Sequence, residues 1–327
     1  MRSVLRYLGR VLAFGAIALT IFYFGGGREN VLIYAPDQPD LADPAGWLAA
    51  REAAFDDITP GAEARIVWAG AENIPTDVVV LYIHGFSATA QEIRPVPDRV
   101  AEALGANLIF ARLPGHGRTG DALAEPHASL WLRDVATMLE LARGIGERVV
   151  VMGTSTGATL ASFAATVPDM VERVEAMVLI SPNYRVANPL GRLLELPLAR
   201  YWVPVIGGAM RSFEPQNENH GIYWTIEYPT VATVTMGTVL RDTRARDYAE
   251  VAMPALFYFS DADSVISPQA VREFADGWGA PATVMPVQLP AEGADPYGHV
   301  IAGDILSPAM TDRAVEDITG WLTEVLD

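Results

Sequence analysis

The chain has 327 residues, half of them hydrophobic, and a formal charge of −17 from 23 basic and 40 acidic residues. That balance excludes a nucleic-acid partner, which needs a basic footprint, and polybasic docking on an anionic lipid surface; the acidity reads as a solubility feature. Cysteine is absent and every basic residue is arginine, which excludes disulfides, thiolate catalysis, cysteine-ligated metals, lysine nucleophiles and phosphate-loop lysines.

Arg2, Arg6 and Arg10 precede an uncharged apolar run, Val11 to Phe24, that ends in three glycines. This pattern predicts a membrane anchor or a signal segment over residues 1–27. An uncleaved anchor is favoured, because no small-x-small cleavage site follows. The arginines would then keep the N-terminus in the cytoplasm and place the catalytic part outside it, or the chain would be exported if the segment is cleaved. Residues 28–62 form a polar, proline-bearing extension with one helix, from about Pro44 to Phe55.

From residue 63 onward strand-like and helix-like segments alternate. Strands are predicted at Arg65–Trp68, Val78–Ile83, Ala106–Phe110, Arg148–Met152 and Ala176–Ile180. Helices are predicted at Ala90–Leu104, Leu130–Arg143 and Ser155–Val167. Val78–Ile83 is an unbroken run of β-branched, aliphatic and aromatic residues, as a strand covered on both faces requires. The alternation implies an α/β fold with a mostly parallel central sheet and helices on both faces. From Pro182 to about Tyr248 it breaks, in a stretch rich in Pro, Trp, Tyr and Leu that reads as an inserted helical cap over about 182–250. Strands resume at Ala255–Ser260 and Thr283–Gln288. A last amphipathic helix runs from about Met310 to Leu326, with Ala314, Ile318, Trp321, Leu322 and Val325 on its inner face.

Gly153-Thr154-Ser155-Thr156-Gly157 fits G-x-S-x-G and lies between a buried strand and an apolar helix. A tight strand-to-helix turn there exposes the Ser155 hydroxyl, and the flanking Gly153 and Gly157 leave room for close backbone approach. His84-Gly85-Phe86 directly follows the strand Val78–Ile83; His84 reads as a residue that holds its loop. Asp261 and Asp263 share the loop after Ala255–Ser260. Asp263 is the favoured acid, since Val265, Ile266 and Pro268 follow it, and Asp261 is the alternative. Of the five histidines only His299 lies beyond these aspartates, giving the order Ser155, Asp263, His299.

These residues, with Pro114-Gly115-His116-Gly117, Trp131 and Asp134, resemble the α/β-hydrolase superfamily, and within it the monoacylglycerol-lipase and serine-aminopeptidase S33-like branch, over about residues 65–325. One departure is Arg112-Leu113, where that branch commonly carries an acidic residue. The resemblance implies a serine hydrolase with Ser155 as nucleophile, His299 as base and Asp263 as acid. It implies an oxyanion hole of the Phe86 and Thr156 backbone N–H groups, and no metal or other cofactor. The expected partner is a small-molecule ester, lipophilic and monoacylglycerol- or lysophospholipid-like, with membrane contact through the N-terminal segment. A peptidase or amidase would use the same residues, and a non-catalytic tethered binding protein is the remaining alternative.

Overall fold

The computed structural model describes residues 2–327, with side chains described outside 2–6, 9, 18 and 19. Its strands are β1 (Arg65–Val67), β2 (Thr76–Ile83), β3 (Asn107–Phe110), β4 (Gly146–Thr154), β5 (Val174–Ile180), β6 (Met210–Ser212), β7 (Glu227–Pro229), β8 (Ala255–Ser260) and β9 (Ala282–Val287). Its helices are α1 (Arg2–Gly25), α2 (Pro44–Glu52), α3 (Val96–Ala103), α4 (Gly120–Ala124), α5 (Ala128–Ile145), α6 (Thr156–Ala164), α7 (Ala199–Gly207), α8 (Glu218–Tyr223), α9 (Ala232–Arg244), α10 (Pro268–Ala275) and α11 (Thr311–Leu326).

Seven strands form one sheet in the order β1-β3-β2-β4-β5-β8-β9, in which β1 runs antiparallel to β3 and the other neighbours pair in parallel. The expected α/β class is borne out, and so is its physical reason. Along β2, Val79, Leu81 and Ile83 pack under α5 and α6 with Trp131, Leu139 and Leu160. The alternate residues Val78, Val80 and Tyr82 pack on the other face with Val100 of α3 and Ile318 and Leu322 of α11. A strand covered on both faces has no polar side, hence the continuous apolar run.

Strand register sets the place of the site. Ile83 pairs with Gly153, and Thr154 with Ile180, so the turns beginning at His84, Ser155 and Ser181 open along one edge of the sheet. From β2 the chain moves out to β3 and then returns to β4 on the opposite side of β2. That reversal opens a crevice at the strands' carboxyl ends, where open α/β sheets bind ligands.

Two expectations are revised. The helix predicted over Ala90–Leu104 is split into a 3-10 turn, Ala90–Glu92, and α3. Pro95 has no N–H and its ring cannot sit inside a helix, whereas Pro97 is tolerated in the first turn of α3. The membrane anchor is also overturned. The uncharged part of α1, Val11 to Phe24, spans about 21 Å at 1.5 Å per residue, short of the roughly 30 Å hydrocarbon layer. No helix among the described residues is long and apolar enough to cross a membrane. The location outside the cytoplasm and the membrane partner inferred from that segment go with it. The side chains of Arg2 and Arg6, on which its polarity argument also drew, lie outside the described set. Beyond α1, the Leu198 N–H donates to the Gly27 carbonyl at 2.9 Å.

Between β5 and β8 the chain leaves the sheet for a 3-10 stretch (Pro189–Glu195), α7, the small β6-β7 pair, α8 and α9; we treat this segment as the cap. It is tied to the body beside the crevice: the Thr225 N–H donates to the Ser87 carbonyl at 2.7 Å.

Candidate active site

Ser155 sits between β4 and α6 with φ 52° and ψ −116°. Positive φ is strained for a residue with a Cβ and costs on the order of 1–3 kcal/mol. Neighbours hold it there: its N–H donates to Ile180 O at 2.9 Å, and its carbonyl accepts from Thr159 N at 3.0 Å and Asn183 N at 3.2 Å. Both motif glycines are dictated by contact. A Cβ at Gly157 would lie 2.1 Å from Ile83 O, and one at Gly153 would lie 2.7 Å from Ala158 N. The elbow therefore packs against the end of β2 and its own helix at distances only glycine allows.

The loop after β9 brings His299 to this elbow. Ser155 Oγ donates to His299 Nε2 at 3.0 Å, and His299 Nδ1 donates to Asp263 Oδ2 at 2.8 Å. Asp263 is buried, and its other oxygen accepts from Val265 N at 2.8 Å and Ile266 N at 2.9 Å. Burial alone would lower the His299 pKa, but the adjacent Asp263 carboxylate overrides it and holds the imidazole above its usual value. Asp261 takes no part in this chain; it is exposed and makes a two-oxygen ion pair with Arg272 at 2.8 Å.

The second turn lies against Ser155. A Cβ at Gly85 would stand 3.2 Å from Ser155 Cβ, so the Gly85-Phe86 backbone borders the hydroxyl. Thr156 opens α6, and first-turn N–H groups have no partner within their own helix. His84 Nδ1 donates to Gly85 O at 2.9 Å, and its Nε2 accepts from Leu113 N at 3.0 Å. Burial pushes its pKa down to about 4, so it is a neutral tie between the turn and the Pro114-Gly115-His116-Gly117 loop. His116 packs tilted or edge-on against His84, Phe86 and Trp131, and Trp131 Nε1 donates to Pro114 O at 3.0 Å. His127 is exposed at the start of α5, and His220 packs in the cap between Phe213 and Trp224.

Two carboxylates near the site were not singled out from the sequence. Asp295 takes two donors on each oxygen: Gln216 Nε2 at 3.0 Å and Tyr297 N at 3.2 Å on Oδ1, His299 N and Val300 N at 3.0 Å on Oδ2. It thus fixes the His299 loop and links it to the cap. An aspartate opening the Asp-Pro-Tyr-Gly-His turn is the kind of signal that reveals such a role. The other is Glu92, buried beside the Gly85 turn; the expected continuous helix hid it.

Phe86 also packs with Leu123, Tyr228 and Ala232, with Phe213 alongside, forming an apolar cluster between the body and the cap. A cavity of about 220 Å³ lies elsewhere, bounded by Gly27, Glu29, Leu194, Leu198, Arg200 and Arg241; none of Ser155, Asp263 and His299 lines it.

Sheet order, strained elbow and the Asp–His–Ser hydrogen-bonded chain define the class as an α/β-hydrolase. A family model described as serine aminopeptidase, S33, matches residues 74–285. The chain belongs to that family and is an enzyme of the lipase and esterase type of α/β-hydrolase. Among curated proteins it is 27% identical over 199 residues to a thermostable monoacylglycerol lipase of Bacillus sp. (strain H-257), covering 61% of this chain and 74% of that one. A structure from work on LipS and LipT, two metagenome-derived lipolytic enzymes, superposes with a TM-score of 0.63 at 21% identity, covering 82% of this chain and 99% of the other. A soluble variant of the Saccharomyces cerevisiae monoglyceride lipase gives 0.59 at 11% identity, covering 80% and 91%. At these identities the structural matches carry the fold alone.

Proposed function

We propose that the enzyme cleaves a lipophilic carboxylic ester through an acyl-enzyme on Ser155. The observation that carries this reading is the unbroken hydrogen-bonded chain from Asp263 through His299 to the strained, nearly buried Ser155. The Ser155 oxygen attacks the ester carbonyl while its proton passes to His299 Nε2. Asp263 orients the imidazole and stabilises the imidazolium. The tetrahedral oxyanion is held by the N–H groups of Phe86 and Thr156. As the C–O bond breaks, the leaving alcohol takes the proton from His299. A water then gives its proton to His299 and attacks the acyl-serine, the carboxylic acid leaves, and the proton returns to Ser155.

The substrate class rests on less. The apolar cluster around Phe86, Leu123 and Tyr228 suits an acyl chain or another greasy group. The relatives include proteins named monoacylglycerol lipases, which favours a monoacylglycerol-like or lysophospholipid-like ester. The family description, serine aminopeptidase, favours a second reading, in which the same residues open an amide.

The test is hydrolysis of p-nitrophenyl esters from acetate to palmitate, beside an aminoacyl p-nitroanilide. Wild type is expected to prefer esters, with the best chain length reporting the pocket. Ser155→Ala is expected to lose about 10⁴-fold or more in kcat, and a fluorophosphonate to label wild type at Ser155. Preference for the anilide would select the amidase reading. Full activity of Ser155→Ala would overturn the nucleophile assignment.

A further inference from the structure

Glu92 is a buried carboxyl group that the mechanism above does not use. Its Oε1 accepts from the Gly85 N–H at 2.7 Å and from the Tyr82 hydroxyl at 2.6 Å. Tyr82 is itself fully buried, and its oxygen lies 2.9 Å from Thr154 Oγ1, on the residue before the nucleophile. A phenol has one proton to give. When it goes to Glu92, Thr154 must complete the second bond by donating to the phenol oxygen. A directed chain then runs from the elbow, through Tyr82, to a carboxylate seated on the oxyanion turn. The crowding is mutual: a Cβ at Gly85 would lie 3.0 Å from Glu92 Oε2 and 3.2 Å from Ser155 Cβ, so carboxylate and nucleophile flank the same peptide. The turn after His299 closes on the other side, where a Cβ at Gly303 would meet Glu92 O at 2.8 Å.

We infer that Glu92 is a positioning residue for the hydrolysis: by accepting the Gly85 N–H it fixes the turn so that the adjoining Phe86 N–H is aimed at the oxyanion, and it adds a further negative charge, beyond those of Asp263 and Asp295, that supports protonated His299. This rests on the reading of Ser155 as nucleophile. Two physical arguments separate Glu92 from ordinary core. An unpaired buried carboxyl is costly to keep, yet here its strongest bonds go to the oxyanion turn and to a residue tied to the elbow. The ionisable groups acting on it are also few. Tyr82 comes from β2 and His299 from its loop, while the Gly303 turn brings only backbone. Burial pushes Glu92 up to about 7, so the carboxyl changes charge in the range where His299 works, and the interaction with His299 is reciprocal.

The experiment compares wild type, Glu92→Gln, Glu92→Ala and Tyr82→Phe on the best p-nitrophenyl ester, with a trifluoromethyl ketone as oxyanion analogue. Glu92→Gln keeps an acceptor for Gly85 and removes the charge. Its KM is expected to stay within about twofold of wild type while kcat falls about 10-fold, and the acid limb of kcat/KM should move to lower pH as His299 loses a supporting charge. Glu92→Ala also frees the turn, so kcat and ketone affinity should fall about 10²-fold, towards the loss seen on removing one oxyanion donor. Tyr82→Phe should retain the Gly85 bond and lie between wild type and Glu92→Ala. Circular dichroism and thermal unfolding identify any variant that fails to fold, and Glu92→Gln, which is isosteric, carries the decision. A wild-type acid limb and wild-type kcat in Glu92→Gln would overturn the inference. Absence of fluorophosphonate labelling on Ser155 in wild type would instead overturn the underlying nucleophile assignment.

Discussion

Removing the Glu52 carboxylate should unfold the protein several degrees earlier, because it strands a buried guanidinium. Arg112 follows β3 and leads into the Pro114-Gly115-His116-Gly117 loop. Its Nε lies 2.5 Å from Glu52 Oε2, its Nη2 lies 3.0 Å from Glu52 Oε1, and its Nη1 donates to His116 O at 3.1 Å. The side chains are 4% and 8% exposed, so water cannot replace the lost partner. Glu52 also accepts the Ala64 N–H at 2.9 Å, which loses its partner at the same time. Breaking one side of such a pair costs about 3–5 kcal/mol. Unfolding entropy of about 2.1 cal/mol/K per residue gives this chain about 0.7 kcal/mol/K, so Glu52→Ala should lower Tm by about 4–7 °C.

The assay is thermal unfolding by circular dichroism at neutral pH, in low salt and in about 1 M salt. Bulk ions screen exposed pairs and barely reach buried ones, so the loss should be nearly the same in both. The matched control is the double variant Glu52→Leu with Arg112→Met, which removes both charges and keeps the volume. Apolar replacement of both partners is often neutral or stabilising by about 1–4 kcal/mol, so the double variant should recover most of the lost Tm. A Glu52→Ala protein that melts within about 1 °C of wild type would refute the reasoning, since it would mean that Arg112 finds water or another acceptor.

Two further outcomes follow from charge. Asp263→Asn removes the carboxylate that holds His299 above its usual pKa against burial. The acid limb of the pH–rate profile, where His299 gains its proton, should move to lower pH, and kcat should fall about 10⁴-fold as the histidine loses its orienting partner; an unmoved limb would rule out this assignment. Glu92 has a folded pKa raised to about 7 by burial, so its contribution to stability is present in acid and lost as pH rises through about 7. Glu92→Gln should therefore match wild type in stability near pH 4 and exceed it above pH 8, by an amount of order 3 kcal/mol at most. Parallel Tm-versus-pH curves for the two proteins would contradict this.

Much of the fold could be read in advance, because parallel strands covered on both faces leave continuous apolar runs. Val78–Ile83 and Arg148–Met152 fall inside β2 and β4. The elbow was legible because its constraint is local: glycines at 153 and 157 are required by contacts of 2.7 and 2.1 Å. Ser155, Asp263 and His299 stand in an order that sequence displays, and the structure brings all three together. Asp295 and Glu92 were harder to find. A carboxylate means nothing in sequence until its donors are known, and those of Asp295 include Gln216, far back in the chain. The membrane segment was misread for a different reason. Arginines followed by an apolar run reproduce the polarity of an anchor, but bilayer thickness sets a length, and Val11 to Phe24 does not reach it.

The N-terminal extension is the region where sequence says least, and chain separation explains why. Glu29 pairs with Arg200 of α7, Asp37 with Arg133 and Arg51 with Asp134 of α5, Glu52 with Arg112, and Asp57 with Arg118. Val31 N donates to Asp242 of α9 at 2.6 Å. Each partner is at least 60 residues away, beyond any local periodicity. The exclusive use of arginine suits this arrangement. A planar guanidinium binds two oxygens or an oxygen and a carbonyl at once, as Arg112 does, and gives up its hydration more readily than an ammonium group. With 40 acidic residues against 23 basic ones, carboxylates are in excess, and the arginines that hold the extension each meet one. The extension is thereby fastened both to the loop beneath the site, through Arg112, and to the cap, through Arg200 and Asp242. Residues 74–285, which match the family, do not include it. Arg112, which leads into the loop beneath the site, is therefore paired by a segment lying outside the family match.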